Sequence, residues 1–287
     1  MRKVLVIGRG PAGISASLYI RRGGFEVTVA AKDDGALARA EKVENFYGQA
    51  EPVSGSEIIR RGIAGAKRLG VNFREAEVVA LTIEEKGFSA KTAAGETLTA
   101  DAVVLAAGAS RSAPPIPGLK DFPGRGVSYC AVCDGVFYRG KTVAVLGAGE
   151  FAQHEADILS LTAKKVILLT HGQAAPVGDS RYEVHTAPVE AVTGDTKVSG
   201  VRLSDGNNVA IDGLFLAWGT AGSTDLARRL GAVVEDTHIC VDAHMATNVP
   251  GLYAAGDCTG GLLQIVKAAH DGAVAGLSIL KYLRSTP

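Results

Sequence analysis

Four apolar residues, Val4-Leu5-Val6-Ile7, run directly into Gly8-Arg9-Gly10-Pro11-Ala12-Gly13. An unbroken apolar run of this length, bounded by glycine, predicts a strand buried on both faces. The period then changes. Ile14 to Ile20 reads as a short helix ending near Arg21-Arg22-Gly23-Gly24, and Val27-Thr28-Val29-Ala30 reads as the next strand. The same succession returns later. Thr142 to Leu146 is a buried run, Gly147-Ala148-Gly149-Glu150-Phe151-Ala152 follows, a helix extends to about Leu161, and Val166-Ile167-Leu168-Leu169 is again a strand. The chain carries an internal repeat of pattern rather than of close sequence.

Between the repeats, Asp101-Ala102-Val103-Val104-Leu105-Ala106-Ala107-Gly108 predicts a further buried strand ending in small residues. Ser112-Ala113-Pro114-Pro115-Ile116-Pro117-Gly118 places three prolines in four residues, which neither a helix nor a central strand accepts. A domain crossing is expected there. Val184 to Trp218 alternates and turns, with Asp205-Gly206 as a hairpin signal. Near Asp236 the chain is expected to return to the first domain. Leu252-Tyr253-Ala254-Ala255-Gly256-Asp257 reads as a strand, and Leu262 to Leu283 as a long helix interrupted in pattern only by Gly272 and Gly276. The fold class is α/β, with two Rossmann-like, three-layer domains of nucleotide-binding type. Residues 1–112 and 238–287 form one, and 113–237 the other.

Composition adds little to this picture except by exclusion. Apolar residues make up 47% and charged residues 21% of 287, which is ordinary for a globular chain. Thirty basic and thirty acidic residues cancel, which argues against a nucleic-acid binder working through bulk charge. Met1-Arg2-Lys3 precedes an apolar run too short for a signal-peptide core, and no stretch reaches the ~20 residues of a membrane span. The expectation is a cytoplasmic protein that acts on neither membrane nor nucleic acid. In that reducing compartment a close cysteine pair is catalytic or metal-binding more often than structural.

The glycine loops carry the first candidate chemistry. Gly8-x-Gly10-x-x-Gly13 follows a strand and opens a helix, the context in which glycines allow a tight turn and close approach to a pyrophosphate. The helix N-terminus adds unpaired N–H groups and the positive dipole end. Gly8, Gly10, Pro11, Ala12 and Gly13 are therefore cofactor candidates, with Asp33 and Asp34, past the second strand, placed to read an adenosine ribose. The loop at 147–152 has the same context but a weaker sequel. Thr170 to Tyr182 contains Gly172, Pro176 and Gly178 and no helical period, although a parallel crossover normally needs a helix. Only His171 and Arg181 offer positive charge to a 2′-phosphate, so NADPH binding there is doubtful on the chemistry of the stretch alone.

Cys130-Ala131-Val132-Cys133 is the second. A zinc site would also need Cys240 and Cys258, which are 18 apart and do not form a second close pair. Two inert buried thiols remain an alternative. However, Gly126 to Tyr129 reads as extended chain and the pair opens a helix, where a thiol's pKa falls. Asp134 follows directly and could hold or give a proton. Cys240 and Cys258 read as small core residues. The six histidines, 154, 171, 185, 238, 244 and 270, show no metal spacing.

Together these segments resemble the low-molecular-weight thioredoxin reductases, over essentially the whole chain. The matching pieces are Gly8 to Gly13, Val43-Glu44-Asn45-Phe46-Tyr47-Gly48, Cys130 to Asp134, Ala254-Ala255-Gly256-Asp257 and Leu263-Gln264. The resemblance implies an FAD/NAD(P)-binding disulfide-reductase fold, a homodimer, and FAD held by both chain ends. Asn45, Gly108, Gly256, Asp257, Leu263 and Gln264 join the cofactor candidates. It also implies that Cys133 lies nearer the flavin and that Asp134 donates a proton. The family usually has Pro at Tyr47, and its arginine-rich segment after Val166 to Leu169 is absent here.

Among the relatives, the chain is most similar to the ferredoxin-dependent flavin thioredoxin reductases. Asp33-Asp34-Gly35-Ala36-Leu37, Phe137-Tyr138-Arg139-Gly140-Lys141, Gly219-Thr220-Ala221-Gly222 and Asp257 to Gln264 carry that narrower match. The function it implies is reduction of thioredoxin through Cys130 and Cys133, with FAD reduced by ferredoxin or a similar low-potential donor. Ferredoxin near about −400 mV and thioredoxin near about −270 mV leave roughly 6 kcal/mol downhill over two electrons. The alternatives are an NAD(P)H-dependent thioredoxin reductase or related dithiol oxidoreductase, a disulfide-forming oxidase using oxygen, and a non-catalytic redox-sensing or zinc-stabilised binding protein.

Overall fold

A computed structural model describes residues 2–108, 114–174, 182–219, 222–235 and 237–285. The chain divides into two compact units, Met1–Ser110 with Gly222–Pro287, and Arg111–Ala221. Ser112, Ala113, Pro176, Gly178, Arg181, Thr220, Ala221 and Asp236, named above as linker, loop or motif residues, lie outside the described residues.

The first unit opens with β1 (Lys3–Ile7), α1 (Pro11–Arg22), β2 (Glu26–Ala31), α2 (Gly55–Arg68) and β3 (Asn72–Glu75). A meander of β4 (Val78–Ile83), β5 (Phe88–Thr92) and β6 (Thr97–Ala100) follows, and then β7 (Ala102–Leu105). The second unit holds β8 (Val127–Ser128), α3 (Ala131–Asp134), β9 (Thr142–Leu146), α4 (Glu150–Ser160), β10 (Lys165–Leu169) and β11 (Glu183–His185). Its own meander is β12 (Val189–Gly194), β13 (Val198–Leu203) and β14 (Asn208–Ala210), and β15 (Gly213–Leu216) closes it. The chain returns with α5 (Ser223–Arg229), β16 (Val234–Glu235), β17 (His238–Ile239), β18 (Leu252–Ala254) and α6 (Ile265–Ser285).

Both main sheets are five-stranded and parallel, ordered β18-β7-β1-β2-β3 and β11-β10-β9-β15-β8. The fold is Rossmann-like α/β in each unit, as the alternation of buried runs and glycine turns predicts. The repeat extends beyond the expected strand–turn–helix–strand: each unit inserts a three-stranded antiparallel meander before a parallel strand that pairs beside the first. In both sheets the strand order reverses beside the strand that carries the glycine loop, between β1 and β7 and between β9 and β15. That reversal is where open α/β sheets bind ligands.

The repeats differ at one place. Unit one crosses from β2 to β3 through α2, an amphipathic helix capped by Ser54, whose hydroxyl accepts the Glu57 N–H. Unit two crosses from β10 to β11 between Thr170 and Tyr182, and the described residues of that connection are not helical.

The return to the first unit comes earlier than the expected 238. Residues 222–235 carry α5, with Leu226 and Ala227 buried. Arg229 donates from Nη1 to the Val79 carbonyl (3.0 Å), and Ser223 Oγ accepts the Ala107 N–H (3.0 Å). Seven residues of helix with Gly222 as cap give too short a periodic run to read from sequence.

Gly272 and Gly276 do not weaken α6; they let it approach α1. A Cβ at 272 would lie 2.1 Å from the Ala12 carbonyl oxygen, and one at 276 would lie 2.9 Å from that of Ala16. The two helices thereby meet backbone to backbone. This fixes the start of α1, and with it the loop between β1 and α1.

Candidate active site

In the first unit Gly8, Ala12, Gly13 and Gly256 of the predicted cofactor residues meet at the carboxyl ends of β1, β7 and β18. Gly8 has φ of +110, and a Cβ there would lie 2.3 Å from the Ala106 carbonyl oxygen after β7. Gly13 packs on Gly8, where a Cβ would sit 2.0 Å from the Gly8 oxygen. Gly256, also at positive φ, abuts the Ala12 side chain. These three glycines are required by the protein's own packing. Gly10 is different. Its φ of −73 suits any residue, and none of the described residues lies within 4 Å of a Cβ placed there. The α1 N-terminus above it has no side-chain cap and no acidic residue in its first turn. Uncapped helix N–H groups facing an open backbone cradle suit a pyrophosphate. The FAD expected here fits the residues present.

Asn45 and Gln264, far apart in sequence, meet through Asn45 Nδ2 donating to Gln264 Oε1 at 3.2 Å. Leu263 beside them is exposed, and Gly108 sits at positive φ with none of the described residues within 4 Å of a Cβ placed there. Asp33 and Asp34 have local partners: Asp33 Oδ1 accepts the Gly35 N–H at 2.9 Å, and Asp34 pairs with Arg9. Asp257 begins a short 3-10 turn, Asp257–Thr259.

That turn is held by groups the sequence reading passed over. Lys267, in the first turn of α6, donates to the Gly256 carbonyl, to Thr259 Oγ1 and to Asp271 Oδ2, each at 2.8 Å. Asp271 is buried and also accepts the Gly256 N–H at 3.1 Å. The signal was present as an i, i+4 pair of opposite charge at the start of an otherwise apolar helix.

In the second unit, Cys130 and Cys133 form a disulfide at the start of α3. Cys130 caps the helix: its sulfur accepts the Cys133 N–H at 3.1 Å. Cys130 is buried and Cys133 exposed. Two carboxylates and a hydroxyl surround the pair. Ser128 Oγ accepts the Cys130 N–H at 3.2 Å and donates to Asp134 Oδ2 at 2.7 Å. Glu155 of α4, itself buried, accepts the Ala131 N–H at 2.8 Å through Oε2. Its neighbours on the inward face of α4 are Phe151, Ala152, Ala156 and Leu159, so the signal was a lone carboxylate on an apolar stripe. Tyr138 lies edge-on to Phe215, a placement that requires Gly213 because a Cβ there would meet the Tyr138 ring at 2.3 Å. Burial, and then the charges of Asp134 and Asp212, push the Tyr138 hydroxyl above its usual value.

A profile of the pyridine nucleotide-disulphide oxidoreductases matches residues 2–273. The chain belongs to that family. The thioredoxin reductase of Aquifex aeolicus is 33% identical over 300 residues, covering 98% of this chain and 93% of that protein. Among solved structures, the atypical thioredoxin reductase of Desulfovibrio vulgaris Hildenborough matches with a TM-score of 0.92 at 36% identity, covering 99% of this chain and 98% of that one. A ferredoxin-flavin thioredoxin reductase from Clostridium acetobutylicum matches with a TM-score of 0.73 at 30% identity over the full length of both. This pyridine nucleotide-disulphide oxidoreductase is a flavoprotein with FAD as cofactor and the disulfide-reductase fold.

The other two cysteines stand apart from the pair. Cys258 is fully buried, and burial pushes its thiol up to about 11. Cys240 is only partly buried, against the expectation of a core residue, because β17 is two residues long and ends there. Among the described residues no group of His, Cys, Asp and Glu could hold a metal, and no helix is long and apolar enough to cross a membrane.

Proposed function

We propose that this flavoprotein reduces the disulfide of a thioredoxin through Cys130 and Cys133, as a homodimer like the family it resembles. The observation that carries the reading is the Cys130–Cys133 disulfide at a helix start, beside the linked Ser128 and Asp134, in a chain matched end to end by thioredoxin reductases. FAD would be held by Gly8 to Gly13 and by Gly256-Asp257 and would supply a two-electron store. The chain's own residues do the rest. Two electrons and two protons open the Cys130–Cys133 bond, and Asp134, oriented by Ser128, holds the proton that a leaving thiolate takes. One thiolate then attacks the target disulfide, and the other cysteine resolves the mixed disulfide, restoring the Cys130–Cys133 bond and releasing the target as a dithiol.

For the donor, NAD(P)H has the comparisons behind it: the family profile is that of pyridine nucleotide enzymes, and the curated relatives match along their length. The second glycine loop also leaves Gly149 room: among the described residues, only the Gly219 oxygen comes near a Cβ placed there, at 3.4 Å. A ferredoxin-type donor is the second reading, and two features of unit two favour it. The described part of the Thr170–Tyr182 crossover has neither helix nor cation except His171, whose charge burial disfavours. Glu150 also puts a carboxylate in the first turn of α4, where a pyrophosphate would need to lie. The match to a ferredoxin-flavin enzyme points the same way.

Anaerobic mixing separates the readings. Bleaching of the flavin band by NADPH or NADH at catalytic rates selects pyridine nucleotide. Bleaching only by reduced ferredoxin selects the second reading. A Cys130→Ser variant that still reduced thioredoxin would sink the dithiol assignment under either.

A further inference from the structure

We propose that Glu155 is a positioning residue that sets the reducing strength of the Cys130–Cys133 dithiol. The inference rests on reading that pair as the working dithiol. Glu155 reaches from α4 into the start of α3, where its carboxylate accepts the N–H of Ala131, the peptide bonded directly to Cys130. Ala131 and Glu155 are both 1% exposed; the Ala131 N–H favours the ionised carboxylate, and water does little to screen that form. Covalent geometry puts Cys130 Sγ at most about 5 Å from the Ala131 nitrogen, hence within about 8 Å of the Glu155 oxygen.

Two effects on the Cys130 thiolate oppose each other. The Cys133 N–H on its sulfur stabilises the anion. The Glu155 charge destabilises it. A destabilised thiolate makes the reduced pair hand on its electrons more readily. Among the described residues, the other charged or titratable groups of the turn and of the helix packed on it include Tyr129, Asp134, Tyr138 and Arg139, His154 beside Glu155 on α4, and Asp212, whose field reaches Tyr138. None of these meets the Cys130–Ala131 peptide as Glu155 does.

The test is Glu155→Gln, which keeps an oxygen for the Ala131 N–H and removes the charge. The holoenzyme is equilibrated anaerobically with mixtures of dithiothreitol and its oxidised form at a series of pH values. Two electrons and two protons pass to the disulfide, or one proton where a thiolate is the product. Trapping by alkylation, then trypsin, gives one peptide from Gly126 to Arg139 that holds both cysteines and neither Cys240 nor Cys258. The potential should fall by about 59 mV per pH unit, and by about 30 mV above the first thiol ionisation.

In Glu155→Gln the break should move to about tenfold higher proton concentration. Above the break, the dithiol should become less reducing by about 30 mV, the equivalent of that tenfold change. Superimposed curves overturn the proposal. If Glu155→Gln does not fold, Glu155→Asp, which withdraws the charge by one methylene, should move the break in the same direction by less, and no movement overturns the proposal equally. Failure of the dithiol reading itself looks different: Cys130→Ser would keep thioredoxin reduction whatever the titration shows.

Discussion

Lys267→Met removes an ammonium that makes three 2.8 Å contacts and leaves the 4%-exposed side chain of Asp271 without its nearest cationic partner, the His270 ring standing farther off at 3.4 Å. Breaking a buried pair by deleting one partner costs about 3–5 kcal/mol. Here the cost falls just below that range, about 2–3 kcal/mol, because the Lys267 side chain is 20% exposed and Asp271 keeps the Gly256 N–H, the Thr259 hydroxyl and the His270 ring as partners. With a urea dependence of about 1–3 kcal/mol/M, the transition should move down by about 1 M. The two units report separately. FAD release, followed by the rise in flavin fluorescence, reads the first, and Trp218, the sole tryptophan, reads the second. The release midpoint should fall while the Trp218 transition stays in place. Lys267→Met with Asp271→Asn should recover part of the loss, since no unpaired charge remains buried. An unmoved release midpoint, or a double variant no better than Lys267→Met alone, refutes the account of this turn as clamped by charge.

Gly10→Ala should leave apoprotein unfolding within about 0.5 kcal/mol of the parent, yet weaken FAD binding at least about tenfold by calorimetry, because none of the described residues lies within 4 Å of the added Cβ, which would intrude on the space the cofactor would take. Gly13→Ala should destabilise the apoprotein itself by about 3 kcal/mol or more, with its Cβ 2.0 Å from the Gly8 oxygen. Gly272→Ala sets about 1 kcal/mol of helix propensity against overpacking of up to about 3 kcal/mol. With the Ala12 oxygen 2.1 Å away, overpacking should win and the melting temperature should fall. Under native conditions at pH 8 a thiol reagent should modify Cys240 alone before reduction and the dithiol as well after it, leaving Cys258 silent in both. The raised Cys258 value also has a sign. Between 9.0 and about 11 the native chain keeps a proton the unfolded chain has lost, so this contribution to stability is full below 9.0 and declines as pH rises to about 11.

Local rules made the central strands legible. Val4 to Ile7 and Val166 to Leu169 are fully apolar because both faces of their sheets are covered, and the glycines after β1 and β9 mark turns that no other residue could make. The meander hairpin at Asp205-Gly206 follows from Gly206 at positive φ. What escaped depends on tertiary contacts. Helix α5 has seven residues and draws its place from Arg229 and Ser223 reaching strand neighbours more than a hundred residues away. Ser128 and Glu155 are single polar residues whose meaning appears only when α3 and α4 pack. The glycine loops could not by themselves be ranked as nucleotide sites. Their glycines look alike in sequence, and the distinction lies in whether the chain or open space faces the missing Cβ.

The first unit is assembled from both ends of the chain, and this orders the protein's synthesis. A ribosome delivers Gly8 to Gly13 some 250 residues before the α6 helix that braces them. The contiguous middle unit with Cys130 and Cys133 is complete before that. Domains fold as they emerge, so the dithiol exists on the nascent chain before a finished cradle for FAD does. Each new molecule thus acquires its thiols in the compartment's own redox state, and its flavin only once α6 has been made. A stalled or truncated chain lacking the last helix would present cysteines that no flavin can recharge.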